Sequence, residues 1–434
     1  MAPTRGGKNE TEISKLTKDL LKDYEQRANH YEVASCNSVK LCFKKAADDN
    51  QYLTRLLIDP QDHKTVDYWI DDKLTVDKSA ILQAKDIENK QLKEKRLVKI
   101  LPLIETIRAK RYTAIQEIDV WDCHIENDDM IALTQLVNKG CYLITRIELI
   151  NCFLNTKCIH LLAVNIALSK ILRELCLDFN EIGEQGCHAL CDGLIKNRYL
   201  IYLSLRFCGL TKQCGVWLGD IIAETAIRQL ILDGNSLEAE GTIALLSQIS
   251  DAAEKEGHER AEEIRKKQLA AEESENKDRA VLNNPTAVAE GENANAGPAP
   301  QSSPPKASSK NKGGKKDKNQ PLVPPSGPQI SVLKLADNAI NHYGEGGNIT
   351  TVKCMQIIKS IISYSKDLEE IDLFANDIGD LAARQILEGL LCRKDAKLPK
   401  IGVRLGHRIN QDTFDKVQKL APGPKKKKGK KGKK

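Results

Sequence analysis

Apolar residues recur in this chain with a fixed internal spacing over most of its length. In each copy, apolar side chains occupy positions 1, 4, 6 and 11, and position 9 is Asn or Cys. Five copies follow one another at steps of 27 to 29 residues, and two more follow after a gap. The copies begin at Ile115, Ile144, Leu172, Leu200, Ile227, Ile330 and Leu368. This spacing indicates a repeat architecture rather than one closed core.

The two halves of each copy predict two different elements. Positions 4 and 6 alternate with polar positions, as in a short strand with one buried face. The second half has helical spacing, because Cys187, Leu190, Cys191 and Leu194 follow i, i+3, i+4 and i+7. Repeated units of this kind predict an α/β solenoid, with a parallel sheet on the concave face and helices on the convex face.

The residue at position 9 is predicted to turn inward and to hydrogen-bond backbone groups that the turn leaves unpaired. Cysteine is small enough for this place and is a weak donor. We therefore expect Cys123, Cys152 and Cys208 to be buried structural residues rather than reactive thiols. The thirteen cysteines include no CxxC pair, so the sequence predicts neither a disulfide framework nor a zinc site.

This pattern resembles the leucine-rich repeat, in the longer ribonuclease-inhibitor-like class that has a helix in every copy. The resemblance implies a protein-binding scaffold that is not an enzyme and that has no cofactor and no metal ion. The absence of HExxH, GxSxG and GxGxxG motifs points the same way.

Breaks in the repeat predict the organisation of the chain. Between the repeat blocks, composition predicts a charged helix over residues 251–280, either solvated or partner-binding, and then a disordered Pro/Ala/Ser/Lys linker. In the N-terminal region, helices are predicted over 12–32 and 79–108. The predicted segments are a helix-rich N-terminal region and solenoid cap (1–111), repeats one to five (112–250), the insertion (251–328), the remaining repeats and C-terminal cap (329–420), and a lysine-rich tail (421–434). The last, degraded copy is read as Leu398, Ile401 and Val403 at positions 1, 4 and 6.

Residues beside position 6 point to the concave face and are the predicted protein-binding site. Exposed aromatic rings among charges are typical of binding hot spots, and three of the six Phe and one of the three Trp fall here. The alternative is that the rings only pack over neighbouring strands. The predicted site comprises Asp119, Trp121, Asp122, Glu148, Asp178, Phe179, Arg206, Phe207, Asp233, Asp337, Asp372 and Phe374.

The basic character of the chain is concentrated in its last ten residues. The formal net charge is +6, and the eight tail lysines account for more than all of it. They are Lys425, Lys426, Lys427, Lys428, Lys430, Lys431, Lys433 and Lys434. Such a tail binds polyanions by charge alone, which makes tubulin tails or nucleic acid its predicted partners. With neither a membrane-spanning apolar stretch nor a secretory signal, a cytoplasmic protein is expected.

Reduced cysteines, a near-neutral solenoid with a charged insertion, and Lys/Gly tracts are similar to the leucine-rich-repeat proteins of ciliary and flagellar axonemes. The resemblance implies a structural component of an axoneme or of another microtubule assembly. Two alternatives stay open. One is a regulator of a small GTPase, since ribonuclease-inhibitor-like repeats also form GTPase-activating proteins, although those usually end in an acidic tail. The other is a nuclear factor that associates with nucleic acid through the lysines.

Overall fold

A computed structural model describes residues 11–60, 97–282, 323–344 and 346–422, and these contain one parallel sheet of nine strands. The strands lie in the sheet in their order along the chain, and each pairs in parallel with its sequence neighbours. They are β1 (Arg55–Ile58), β2 (Glu117–Trp121), β3 (Arg146–Ile150), β4 (Glu174–Cys176), β5 (Tyr202–Ser204), β6 (Gln229–Ile231), β7 (Val332–Lys334), β8 (Glu370–Leu373) and β9 (Gly402–Leu405).

A helix separates every two consecutive strands, so the chain folds as the predicted α/β leucine-rich-repeat type of solenoid. In chain order the helices are α1 (Glu12–His30), α2 (Asn37–Asp48), α3 (Leu101–Ala109), α4 (Asn127–Asn138), α5 (Thr156–Ile166), α6 (Gly183–Leu194), α7 (Cys214–Glu224), α8 (Glu238–Leu282), α9 (Gly347–Tyr364), α10 (Gly379–Asp395) and α11 (Gln411–Leu420). None of the helices in the described residues is long and apolar enough to cross a membrane.

The repeat positions form the core between the sheet and the helices. In all seven copies the side chains at positions 1, 4, 6, 9 and 11 are buried. Strand pairing keeps equivalent positions side by side; for example, Ile118 of β2 lies opposite Ile147 of β3. The sequence therefore predicted correctly which face of each strand is buried.

Position 9 makes the hydrogen bonds expected of it. Asn180 Oδ1 accepts from the backbone N–H of Cys152 at 2.9 Å and of Leu154 at 3.4 Å. Its Nδ2 donates to the carbonyl oxygens of Leu149 and Leu177, both at 2.8 Å. One carboxamide thus satisfies backbone groups of two successive copies.

The cysteines at position 9 serve the same purpose with a weaker donor. Cys152 Sγ donates to the carbonyl of Val120, and Cys208 Sγ to the carbonyl of Leu177, both at 3.3 Å. Cys123 is also buried, with its Sγ 3.5 Å from the carbonyl of Val98. Their prediction as buried structural residues is confirmed.

The sheet begins one strand earlier than the sequence pattern indicated. Leu53, Leu56 and Ile58 occupy positions 1, 4 and 6 of a further copy, whose strand β1 pairs in register with β2. The pattern was missed because its second half departs from the rule: position 9 is Gln61 and position 11 is His63.

Helices α1 and α2 precede this first strand, and α2 covers its edge. Ser38 Oγ of α2 donates to the carbonyl of Leu57 at 2.8 Å and accepts from the N–H of Asp59 at 3.0 Å. Helix α2 thus supplies hydrogen-bond partners to the backbone at the margin of the sheet. Helix α1 lies within the predicted range 12–32, whereas most of the helix predicted over 79–108 falls outside the described residues.

The register of the last copy differs from the sequence reading by two residues. Val403 of β9 lies opposite Ile371, which is at position 4, so Val403 is at position 4 and Leu405 at position 6. A shift of two keeps the same side chains on the buried face, whereas a shift of one would reverse them. The pattern alone therefore could not distinguish the two registers.

The insertion lies between β6 and β7. Helix α8 runs for 45 residues, from repeat five through the predicted range 251–280, and the linker residues 283–322 lie outside the described part. The chain divides into two units, Met1–Glu254 with Val323–Lys434, and Lys255–Leu322. The sheet nevertheless resumes in register, with Val332 opposite Gln229, because the entropy cost of closing a loop grows only slowly with its length.

The hydrogen bonds of Asn180 predict the cost of removing them. Asn180→Ala leaves two amides and two carbonyls without this partner in the core, so we expect it to lower the free energy of unfolding by about 2–4 kcal/mol. The control Asn138→Ala, at an exposed helix position, should change it by less than about 0.5 kcal/mol. Urea denaturation measures both; equal effects would show that position 9 does not hold the stack together.

Burial also predicts which thiols react. Burial raises the pKa of the Cys208 thiol to about 12, so almost none of it is thiolate at pH 8, while Cys141 and Cys392 are exposed. We expect alkylation by N-ethylmaleimide at pH 8 to be at least about a hundredfold faster at the two exposed sites. Peptide mass spectrometry measures this, and the unfolded chain in urea, where all sites should react alike, is the control.

Candidate functional site

Positions 3, 5 and 7 of the strands point away from the helices, and we call the surface they form the open face. The structure places the twelve predicted site residues here or at position 8, but with very different exposure. Asp122, Phe179, Phe207 and Asp337 are exposed; Trp121, Glu148, Arg206, Asp233 and Phe374 are partly exposed; Asp119, Asp178 and Asp372 are buried. The three buried aspartates contact their neighbours in the sheet rather than solvent.

Position 8 has a left-handed backbone in all seven copies. The φ angles are 50° for Asp122, 51° for Asn151, 60° for Phe179, 50° for Phe207, 73° for Gly234, 52° for Asp337 and 60° for Ala375. Glycine, Asn and Asp adopt this conformation most readily, whereas a bulky side chain is an outlier there. Two successive copies nevertheless have phenylalanine at position 8, Phe179 and Phe207, although this backbone conformation disfavours a bulky side chain.

These two residues, which we call the Phe pair, stack on each other at the edge of the open face. The ring centroids of Phe179 and Phe207 are 4.9 Å apart with an interplanar angle of 12°. Each side chain keeps about half of its surface exposed, 50% and 47% respectively. A Cβ at Gly234 would lie 2.2 Å from the Phe207 ring, so the ring requires a glycine beneath it.

Charged groups flank the Phe pair at fixed positions. The Arg206 guanidinium lies 3.6 Å from the Asp178 carboxylate and 3.3 Å from that of Asp233. Asp178 Oδ1 in turn accepts from Ser204 Oγ at 2.6 Å and from the Arg206 backbone N–H at 2.9 Å. Arg206 is thus held beside the rings by two carboxylates, one from the preceding copy and one from the following copy.

A second charge cluster lies across β1, β2 and β3. The buried carboxylate of Asp119 lies 2.5 Å from Arg55 and 4.0 Å from Arg146, and Arg146 is also 2.5 Å from Glu148. Burial raises the pKa of Glu148, and the nearby Arg146 guanidinium opposes this rise. Cross-strand pairs of opposite charge stabilise the sheet and fix the positions of the exposed arginines.

A cavity of about 360 Å³ opens on the same face, across β3, β4 and β5. It is lined by Arg146, Ile147, Glu148, Ile150, Glu174, Cys176, Asp178, Phe179, Tyr202 and Arg206. Burial raises the pKa of the Cys176 thiol, and so does the Asp178 carboxylate, which leaves the thiol protonated and a poor nucleophile. Among the residues described, no three His, Cys, Asp or Glu side chains are placed to hold a metal ion.

The aromatic residue at the other end of the sheet has a different environment. Arg404 lies over the Phe374 ring, 4.1 Å from its centroid, and pairs with Asp372 at 3.1 Å. Phe374 is therefore covered by a cation–π contact, which is the packing alternative raised by the sequence. Of the four aromatic rings among the predicted site residues, the two exposed ones form the Phe pair.

The predicted site omits four open-face residues, all at position 3: Arg55, Arg146, Glu174 and Tyr202. The signal was present, since position 3 alternates with the buried positions 4 and 6 just as position 5 does. The lysines of the tail fall outside the described residues, and their binding of polyanions stays a prediction.

No known family model matches this chain. A segment of 91 residues, 21% of the chain, is 34% identical to the human (Homo sapiens) NACHT, LRR and PYD domains-containing protein 5. The match spans only 8% of the length of that protein. It supports the assignment of leucine-rich-type repeats and leaves the class of repeat undetermined.

The backbone angles predict that the Phe pair contributes little to stability. In a double variant Phe179→Asn, Phe207→Asn, two losses oppose one gain. The losses are the stacking, about 0.5–1.5 kcal/mol, and the burial of two half-buried rings, about 1.5–3 kcal/mol together. The gain is relief of left-handed strain, about 2–4 kcal/mol for the two residues. We expect the free energy of unfolding to change by less than about 1 kcal/mol. Leu205→Ala, a buried position of the same copy, should cost about 2–5 kcal/mol; a similar cost for the pair would show that the rings serve packing.

Proposed function

We propose that this chain is a protein-binding scaffold that holds its partner on the open face around the Phe pair. One observation carries the proposal: two large rings that stack on each other stay half exposed, in a backbone conformation that disfavours them. Aromatic and arginine side chains dominate binding hot spots. Here two rings and Arg206 lie together.

The charges around the rings support a protein partner. Arg206 and Arg146 are already paired with carboxylates, so they are fixed in position and lose little side-chain entropy when a partner binds. The surface is mixed in sign, which suits a protein surface with its own mixed charges rather than a uniform polyanion.

We further propose that the partner assembly is a ciliary or flagellar axoneme, or another microtubule structure. The support is the sequence: reduced cysteines, a charged insertion, and a lysine tail that would add nonspecific attraction to an acidic microtubule wall. Regulation of a small GTPase and association with nuclear nucleic acid are the competing functions, and the same experiment separates all three.

The test is detergent extraction of ciliated cells that express the tagged full chain. We expect the wild type to remain with the detergent-resistant axoneme, and a chain lacking residues 421–434 to remain as well. The double variant Phe179→Ser, Phe207→Ser should be released. The matched control is Val164→Ser, Leu168→Ser, which removes two exposed apolar side chains at and just after α5, away from the open face.

Each other outcome contradicts a defined part of the proposal. Release of the wild type into the soluble fraction, with stimulated GTP hydrolysis by a small GTPase, would favour the regulator. Nuclear accumulation that is lost with the tail would favour the nucleic-acid factor. Retention of the Phe179/Phe207 variant would show that the partner binds elsewhere.

A further inference from the structure

The C-terminal cap contains a cavity of about 270 Å³ between α10, the segment 397–401 before β9, and α11. Its floor is apolar, with Leu390 and Ile401 buried and Leu398 and Leu420 partly so. Its rim carries Lys394, Lys397, Lys400 and Lys419, all exposed. We call this site the lysine pocket. It lies far along the chain from the Phe pair and has no part in the function proposed above.

The four lysines lack carboxylate partners among the described residues. Some lysines elsewhere on this solenoid do pair with acids, as Lys359 does with Glu388 at 2.5 Å. The imbalance is visible in the sequence: from Arg393 onward there are sixteen Lys and Arg residues and three Asp, while the rest of the chain has a net charge of −7. The pocket therefore lies in the most basic part of the molecule.

The loop that carries two of the lysines is held in place by a buried arginine. Arg393 Nε donates to the Pro399 carbonyl at 2.6 Å, and its Nη1 donates to the carbonyls of Ile362 at 2.9 Å and Ser365 at 2.6 Å. Lys397 itself has φ 56° at the end of α10, where glycine is the usual residue. The pocket is thus preformed, and Lys397 adopts a left-handed backbone conformation that glycine adopts more readily.

Lysines at helix C-termini also neutralise the helix dipole, and both α10 and α11 end at this pocket. That role accounts for part of the cluster only. Each helix end carries about half an elementary negative charge, so two ends need about one positive charge. Four lysines leave a clear excess of positive charge for a ligand.

We propose that the lysine pocket binds an acidic peptide segment of a partner protein, with one apolar side chain of that segment inserted against the leucine floor. A volume of about 270 Å³ is below the roughly 300–1,000 Å³ of small-molecule sites, and suits a side chain. Nucleic acid fits less well, because no aromatic ring lines the pocket to stack a base.

The test is fluorescence anisotropy with a labelled decapeptide of nine glutamates around one central leucine. The protein is the full chain with its eight tail lysines changed to Gln, so that binding reports the folded cap. We expect Lys397→Glu, Lys400→Glu to weaken binding about tenfold or more. The control Lys139→Glu, Lys170→Glu changes the net charge equally, at exposed positions of the first repeats, and should stay within about twofold.

Further arms decide the remaining points. Replacing the central leucine of the peptide by Ser should weaken binding several-fold; equal binding of both peptides would overturn the insertion of an apolar side chain. A single-stranded oligonucleotide that binds as tightly, with the same loss on Lys397→Glu, Lys400→Glu, would overturn the peptide assignment. The variant Lys400→Glu, Lys419→Glu leaves the left-handed residue Lys397 unchanged and should weaken binding as much as Lys397→Glu, Lys400→Glu does. An equal loss of binding in the control Lys139→Glu, Lys170→Glu would overturn the lysine pocket as the binding site.

Discussion

The stack depends on one buried side chain in each copy, at position 9. Where the chain leaves a strand, its backbone turns through the core. The amides and carbonyls of this turn are buried away from water and need hydrogen-bond partners within the protein. A carboxamide satisfies both kinds of group, as Asn180 does for Cys152 and Leu149. A thiol can only donate weakly, and two of the three cysteine copies are followed by an Asn copy. Asn180 Oδ1 accepts from the N–H of Cys152 at 2.9 Å, and Asn235 Oδ1 accepts from that of Cys208 at 3.0 Å. The order of Asn and Cys along the chain thus links neighbouring copies to one another.

The inward turn at position 9 goes together with the left-handed residue at position 8, and this relation identifies the candidate site. Asp122, Asn151 and Gly234 fit the backbone there, but Phe179 and Phe207 do not. Residues that conflict with their local backbone without a gain in packing mark function more often than stability. The partly exposed ring of Phe374 gives the contrast: it sits at position 7, without strain, beneath Arg404.

The sequence was sufficient to predict the seven copies, their buried faces and the role of Cys123, Cys152 and Cys208, because each rests on spacing that recurs. The sequence was insufficient where the repeat pattern is incomplete. Strand β1 lacks the usual position 9, and β9 fits two registers that bury the same side chains. At the site, spacing shows that Asp119 and Phe179 both lie off the core, but not that Asp119 is enclosed by Arg55 and Arg146 while Phe179 stays open. Exposure depends on neighbours in adjacent copies, which a pattern within one copy does not contain.

The insertion affects the same hydrogen bonds that hold the stack together. Asn180, Asn235 and Asn376 each accept two amides from the preceding copy. Asn338, the first copy after the insertion, has a buried Oδ1 with no hydrogen-bond partner among the described residues. Because each copy of a solenoid contacts mainly its neighbours, we expect the effect of this unpaired oxygen to be confined to the junction of β6 and β7. The Phe pair lies in the block before the junction and the lysine pocket in the block after it. A partner that loosened the junction would therefore change the distance between the two surfaces while the geometry within each one stays intact.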